Sequence, residues 1–162
     1  VARVNIRIIA VGKLKQSYLV TGINEYTKRL QAYGRVEIIE VKDESFTEPL
    51  SDKETSIIKE KEAERILAQI PDRYYVIALD RRGKQLDSLG LAELINHQGL
   101  YHQGSLVFII GGALGLSESI IQRADYVLSF SQLTFPHQLM RLILIEQIYR
   151  AMTIIHHEKY HK

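Results

Sequence analysis

The chain contains no cysteine in its 162 residues. That excludes a disulfide framework, a thiolate nucleophile and any cysteine-ligated metal. Long apolar runs are also missing, and none approaches the roughly 20 residues that a membrane span requires. Charge of one sign is not in excess either, because 21 basic and 19 acidic residues leave a formal charge of only +2. Nucleic-acid binding would therefore rest on a local patch and not on the total. The opening Val1-Ala2-Arg3-Val4-Asn5-Ile6 alternates like a strand. It lacks an initiator Met and the charged-then-apolar layout of a signal peptide. With nothing arguing for export, a cytoplasmic protein is expected.

What is present is ordinary for a globular domain: 46% hydrophobic and 25% charged residues. The length suits a single domain over residues 1–162 with one good core. Five short apolar runs read as strands: Asn5–Val11, Val36–Val41, Tyr74–Leu79, Leu106–Ile110 and Tyr126–Ser129. The last three are almost continuously apolar, as central parallel strands covered on both faces should be. Between the first two, Leu19, Ile23, Tyr26 and Leu30 fall on one helical face, with Gly34 expected as the stop. Ser51-Asp52-Lys53-Glu54 has capping-box spacing and opens a second helix that Pro71 ends. The Lys59-Glu60-Lys61-Glu62 stretch reads as a solvated face with i,i+4 ion pairs. A third helix is expected near Ser88–Gln98, a short fourth near Ser117, and a last one with Pro136 at its first position. The alternation predicts an α/β fold with a mostly parallel sheet flanked by helices.

Chemistry concentrates in the last third. Phe108-Ile109-Ile110 runs into Gly111-Gly112-Ala113-Leu114-Gly115-Leu116-Ser117, a strand leading through a glycine turn to a helix. In parallel sheets, ligands sit beyond the carboxyl ends of strands, where such a turn lies. No Lys-Ser/Thr follows the last glycine, so a P-loop is excluded. A purely structural tight turn remains the alternative. Leu128 to His137 forms a loop offering apolar walls, backbone polar groups and small hydroxyls, a mixture that suits an adenine ring. The helix after Pro136 is apolar on nearly every side, which implies burial all round and, in so short a chain, a second subunit. Among its few polar residues, His137 and Arg141 share one side and Glu146 and Arg150 roughly the opposite side, each pair four apart and able to interact.

Together, Ile109-Ile110-Gly111-Gly112-x-x-Gly115, Ser129-Phe130-Ser131-x-x-Thr134-x-Pro136-His137-x-x-x-Arg141, Glu146-Gln147-x-Tyr149-Arg150-Ala151 and Tyr160-His161 resemble the SPOUT methyltransferases. The resemblance is closest to the RlmH type, which modifies large-subunit ribosomal RNA, and it extends along the whole chain; residues before Asn5 are the main departure. It implies a deep C-terminal trefoil knot at about residues 106–155, an exception to un-knotted topology, with a tail over 156–162. It implies S-adenosylmethionine held by Leu79, Gly111, Gly112, Gly115 and the run Phe130, Ser131, Gln132, Leu133, Thr134 and Phe135. It implies a homodimer that methylates N3 of a pseudouridine in 23S ribosomal RNA on the assembled ribosome. His137, Arg141, Tyr149, Arg150 and His161 are the expected catalytic positions, some supplied by the partner's tail. Lys13, Lys15, Arg81 and Arg82 are placed to touch phosphates.

Competing readings are a knotted methyltransferase acting on transfer RNA and a non-catalytic RNA-binding or ribosome-binding protein. His157-Glu158-Lys159-Tyr160-His161 also matches the H-E-x-x-H zinc motif. No third ligand follows it, and no metal is expected.

Overall fold

The computed structural model describes residues 3–102 and 104–162, so Val1 and Ala2 of the expected N-terminal alternation lie outside the described residues. Among the described residues, five strands alternate with five helices: β1 (Val4–Val11), α1 (Ser17–Leu30), β2 (Gly34–Val41), α2 (Asp52–Leu67), β3 (Tyr75–Gln85), α3 (Ser88–Tyr101), β4 (Ser105–Ile110), α4 (Glu118–Arg123), β5 (Tyr126–Ser129) and α5 (His137–Ile155). They form one sheet in the order β2-β1-β4-β3-β5. Every pairing is parallel.

Period-2 alternation sends successive side chains of each central strand to opposite faces. Ile6, Ile8, Ile77, Leu106 and Phe108 face one core, covered by α1, α3 and α5. Ile9, Val76, Ala78, Val107 and Ile109 face the other, covered by α2 and α4. Helix α5 packs against both α1 and α3, which puts its Leu144, Ile145 and Ile148 fully inside.

The expected stripe of α1 buries Leu19, Ile23 and Leu30. The capping box of α2 forms as its spacing predicts, with Glu54 N–H donating to Ser51 Oγ and Ser51 N–H to Glu54 Oε1. Three local expectations need correction. Gly34 does not end α1; it opens β2, where a Cβ would fall 2.0 Å from the carbonyl oxygen of Val4. Glycine is required there by strand approach. Pro136 is the residue before the helix, with extended ψ, so α5 begins one position later at His137. Glu62 is not on a solvated face, because it is 5% exposed and its Oε2 accepts the Glu44 N–H.

Candidate cofactor pocket and the polar ends of the last helix

A pocket of about 880 Å³ opens at the carboxyl ends of β3, β4 and β5. Its size falls within the usual range for small-molecule sites. Each wall follows from local sequence.

The first wall is the glycine turn after β4. Gly115 adopts φ +86°, a region that favours glycine, and its N–H donates to Gly112 O (3.0 Å). The turn thus folds back on itself, and a Cβ on Gly111 would sit 2.7 Å from the carbonyl carbon of Gly115. Leu116 is buried beneath it, and Ser117 caps α4. At Gly115, an added Cβ would meet nothing within 4 Å, which leaves the turn open on that side.

The second wall is the loop after β5. Buried Ser129 donates its hydroxyl to Ser131 O (3.0 Å), and Leu133 N–H donates to Ser131 Oγ (3.0 Å). These short-range bonds give the loop a fixed shape with Phe130 turned onto the core. Of the residues expected to hold a cofactor, Leu79, Gly111, Gly112, Gly115, Phe130, Ser131, Leu133, Thr134 and Phe135 all line the pocket, while Gln132 does not.

The third wall was not expected. β3 does not stop at Leu79. Both Leu79 and Lys84 align with Leu128 of β5, so Asp80 to Gly83 bulge outward over the pocket before the strand resumes. Gly83 permits this, since a Cβ there would lie 2.5 Å from Val127 O. The bulge is pinned by Asp80, whose Oδ1 accepts from Arg82 N–H (2.8 Å) and Nε (3.0 Å). Burial alone would raise the Asp80 carboxyl, but the Arg82 bonds outweigh it and hold the pKa below the ordinary value. Arg82 also bridges to Glu118 (3.2 Å).

His137 lines the pocket from the first turn of α5. Burial, then the positive charges of Arg141 and Lys15, hold its pKa below the ordinary 6.5, with Asp43 opposing. It is therefore neutral at pH 7 and able to accept a proton.

The other four expected catalytic residues lie elsewhere. Arg141 is 1% exposed, and its guanidinium bonds Glu40 Oε2 (2.5 Å) and Gly12 O (3.1 Å). It does not line the pocket. Tyr149, Arg150 and His161 gather at the far end of α5. Thirteen residues separate His137 from Arg150, about 20 Å along a helix. There Arg150 donates to Glu146 Oε2 (2.8 Å) and to His161 Nδ1 (3.1 Å). Arginine has no acceptor, so the imidazole Nδ1 must accept, which leaves Nε2 as the neutral ring's donor. Tyr160 OH donates to Glu146 Oε2 (2.9 Å); burial, then contact with the Tyr26 hydroxyl and this bond, keep the phenol well above its usual range.

Tyr26, Arg29 and Tyr160 join this cluster although sequence reasoning gave the first two no role there. The Arg29 guanidinium lies over the Tyr26 ring at 5.2 Å and the Tyr149 ring at 5.4 Å. Their signal in the sequence was slight: Tyr26 was read only as one position of an apolar stripe.

The tail is not helical at His157-Glu158-Lys159-Tyr160-His161. α5 ends at Ile155, and His157 has φ +57°. The i,i+4 helical spacing that a zinc motif needs is absent. Glu158 instead accepts from Tyr33 OH (2.9 Å), and the His156 ring packs on Tyr33 at 4.9 Å. Among the described residues no helix is long and apolar enough to cross a membrane.

Parallel strands ending on a glycine turn, a serine-braced loop and a pocket of small-molecule size define an α/β protein with its cavity at the carboxyl edge of the sheet. The chain belongs to the SPOUT methyltransferase family: the family model described as "Predicted SPOUT methyltransferase" matches residues 4–161. It is 56% identical over 158 residues to the ribosomal RNA large subunit methyltransferase H of Alkaliphilus oremlandii, covering 98% of this chain and 99% of that protein. The protein of the same name from Bacillus pumilus is 54% identical over 158 residues, with the same two coverages of 98% and 99%. Among solved structures, a probable methyltransferase from Bordetella pertussis matches with a TM-score of 0.54 at 14% identity, covering 92% of this chain and 95% of that one. That likeness concerns the fold.

Proposed function

We propose that this protein is an S-adenosylmethionine-dependent enzyme that methylates N3 of a pseudouridine in 23S ribosomal RNA. It acts in the cytoplasm, on the assembled ribosome, as a homodimer of single-domain subunits whose residues 106–155 form a knotted cofactor site. The observation that carries this reading is the pocket. In a SPOUT family member, it lies between the glycine turn and the Phe130–Phe135 loop, the segments whose sequence resembles the cofactor site of the RlmH type. Relatives at 54–56% identity bear the name ribosomal RNA large subunit methyltransferase H.

The residues fit the cofactor. Leu79, Leu116 and Phe130 offer apolar walls for an adenine ring, and the turn and loop offer backbone N–H and C=O groups. The open side at Gly115 gives room for backbone approach. When bound, S-adenosylmethionine supplies an electrophilic methyl group.

The protein must then hold a nucleobase nitrogen in line, take up its proton, and stabilise the charge left on the ring. Neutral His137 at the pocket wall is suited to proton uptake. Arg150, held by Glu146 and paired with His161, is suited to charge stabilisation. These two groups lie about 20 Å apart within one chain. A composite site follows: the far end of the partner's α5 and its tail complete the pocket of the first subunit. Leu139 and Ile143, four residues apart on α5 and half-buried, form an outward apolar pair suited to such a two-fold contact. Arg141, sealed beneath the surface, acts through positioning.

The test is to incubate ribosomes that lack the modification with this protein and labelled S-adenosylmethionine, then map the methylated nucleotide. One labelled pseudouridine in 23S RNA is expected. Label confined to transfer RNA would replace the substrate assignment, and cofactor binding without any transfer would remove the catalytic one.

A further inference from the structure

The segment between β1 and α1, Gly12 to Gln16, has no regular structure, yet it is tied down along its length. Leu14 N–H donates to Glu40 Oε2 (3.0 Å), and the Leu14 side chain packs on the core. Lys15 N–H donates to Gln138 Oε1 (3.2 Å), while Gln138 Nε2 donates to Lys13 O (3.2 Å). Arg141 anchors the base of the segment at Gly12 O. One side chain in the first turn of α5, Gln138, therefore clasps the loop from both sides, one residue away from His137 at the pocket.

The loop carries two exposed cations, Lys13 and Lys15, and neither forms an ion pair among the described residues. The field of Lys15 reaches His137. On the rim formed by β3, Arg81 is likewise exposed and without a carboxylate partner among the described residues. Arg82 differs: Asp80 and Glu118 both neutralise it. Of these four cations, three form no ion pair among the described residues and one is committed to holding the β3 bulge.

We propose that Gln138 is a positioning residue that fixes Lys13 and Lys15 as a cationic lip beside the pocket, and that this lip together with Arg81, but not Arg82, contacts phosphates of the substrate RNA. The proposal deepens the RNA-methylation reading and rests on it for the identity of the polyanion. Each phosphate contact releases counterions, so loss of one contact flattens the dependence of log affinity on log salt.

The test is cosedimentation of the full chain with assembled ribosomes across about 50 to 200 mM salt, with calorimetry for S-adenosylmethionine beside it. Lys13→Ala, Lys15→Ala and Arg81→Ala should each flatten the slope by about 0.7–0.9, equal to roughly a threefold smaller affinity loss across that range. Gln138→Ala should flatten it toward the value of the double lysine variant, with cofactor affinity unchanged. Arg82→Ala removes a neutralised cation and loosens the bulge that carries Arg81, so it should flatten the slope by less than Arg81→Ala does. Wild-type slopes in the lysine and Gln138 variants would overturn the lip, and so would an Arg82→Ala slope as flat as that of Arg81→Ala. Ribosomes that bind with the expected slopes but accept no methyl would fail the catalytic reading and leave the lip standing. Absence of wild-type binding would overturn both.

Discussion

Removing Glu40 should damage this protein more than removing Arg141, although Arg141 is the residue inside. The Arg141 side chain is 2% exposed, whereas that of Glu40 is 37% exposed. Glu40→Ala would strand a guanidinium in the core with only Gly12 O as partner, since its Nε already has none. An uncompensated buried charge costs about 3–5 kcal/mol, and water reaching the site of the lost carboxylate favours the lower end, about 3 kcal/mol. Arg141→Met removes the charge with its desolvation cost, fills most of the space, and leaves a carboxylate that can hydrate. What remains is an unsatisfied Gly12 carbonyl, about 1–2 kcal/mol. For a domain of this size each kcal/mol moves Tm by about 2–4 °C. Thermal unfolding should show Glu40→Ala lower by about 6–12 °C and Arg141→Met by about 2–8 °C. An Arg141→Met variant as unstable as Glu40→Ala, or more so, would refute the reasoning.

The glycine turn gives a paired prediction. Gly111→Ala forces a methyl to 2.7 Å from backbone and should cost about 1–3 kcal/mol together with tenfold or greater loss of S-adenosylmethionine affinity by calorimetry. Gly115→Ala meets open space and should cost only the left-handed strain, about 1–2 kcal/mol. For His137, burial and neighbouring cations depress the folded pKa, so its contribution to stability is present above about pH 6.5 and lost as pH falls through the folded value. A His137→Asn variant should therefore show a flatter acid limb in a plot of Tm against pH. Glu62 has the opposite sign: burial raises its carboxyl, so wild-type stability falls as pH rises through the folded value. Glu62→Gln keeps an acceptor for the Glu44 N–H and should raise Tm at pH 7, with the gain vanishing near pH 4.

The fold was legible where local pattern and burial agree. The sheet's central runs were recognisable because strands covered on both faces must be apolar throughout, and Ser51 to Glu54 because a capping box is set by neighbours in sequence. The β3 bulge was hidden because it depends on Gly83 approaching a carbonyl of β5. Gly34 looked like a helix stop because the same residue type serves a close strand crossing. Glu62 looked solvated because its charged neighbours are, yet it shares the inner face of α2 with Ala63 and Ile66. At the site, the turn after β4 and the loop after β5 were readable as strand-end motifs next to each other in a parallel sheet. Glu40 and Gln138 were not, because their partners lie 101 and 123 residues away in sequence. The separation of His137 and Arg150, by contrast, follows from spacing, because thirteen residues of one helix span about 20 Å.

That separation makes the composite site the central claim, and mixed dimers test it most directly. His137→Ala and Arg150→Ala proteins, each inactive alone, would be unfolded, mixed in equal amounts and refolded, and methyl transfer to ribosomes measured. Random pairing makes half the dimers mixed, each with one complete site, so about a quarter of wild-type activity should return. Mixtures that refold to dimers yet stay as inactive as either parent would contradict the account.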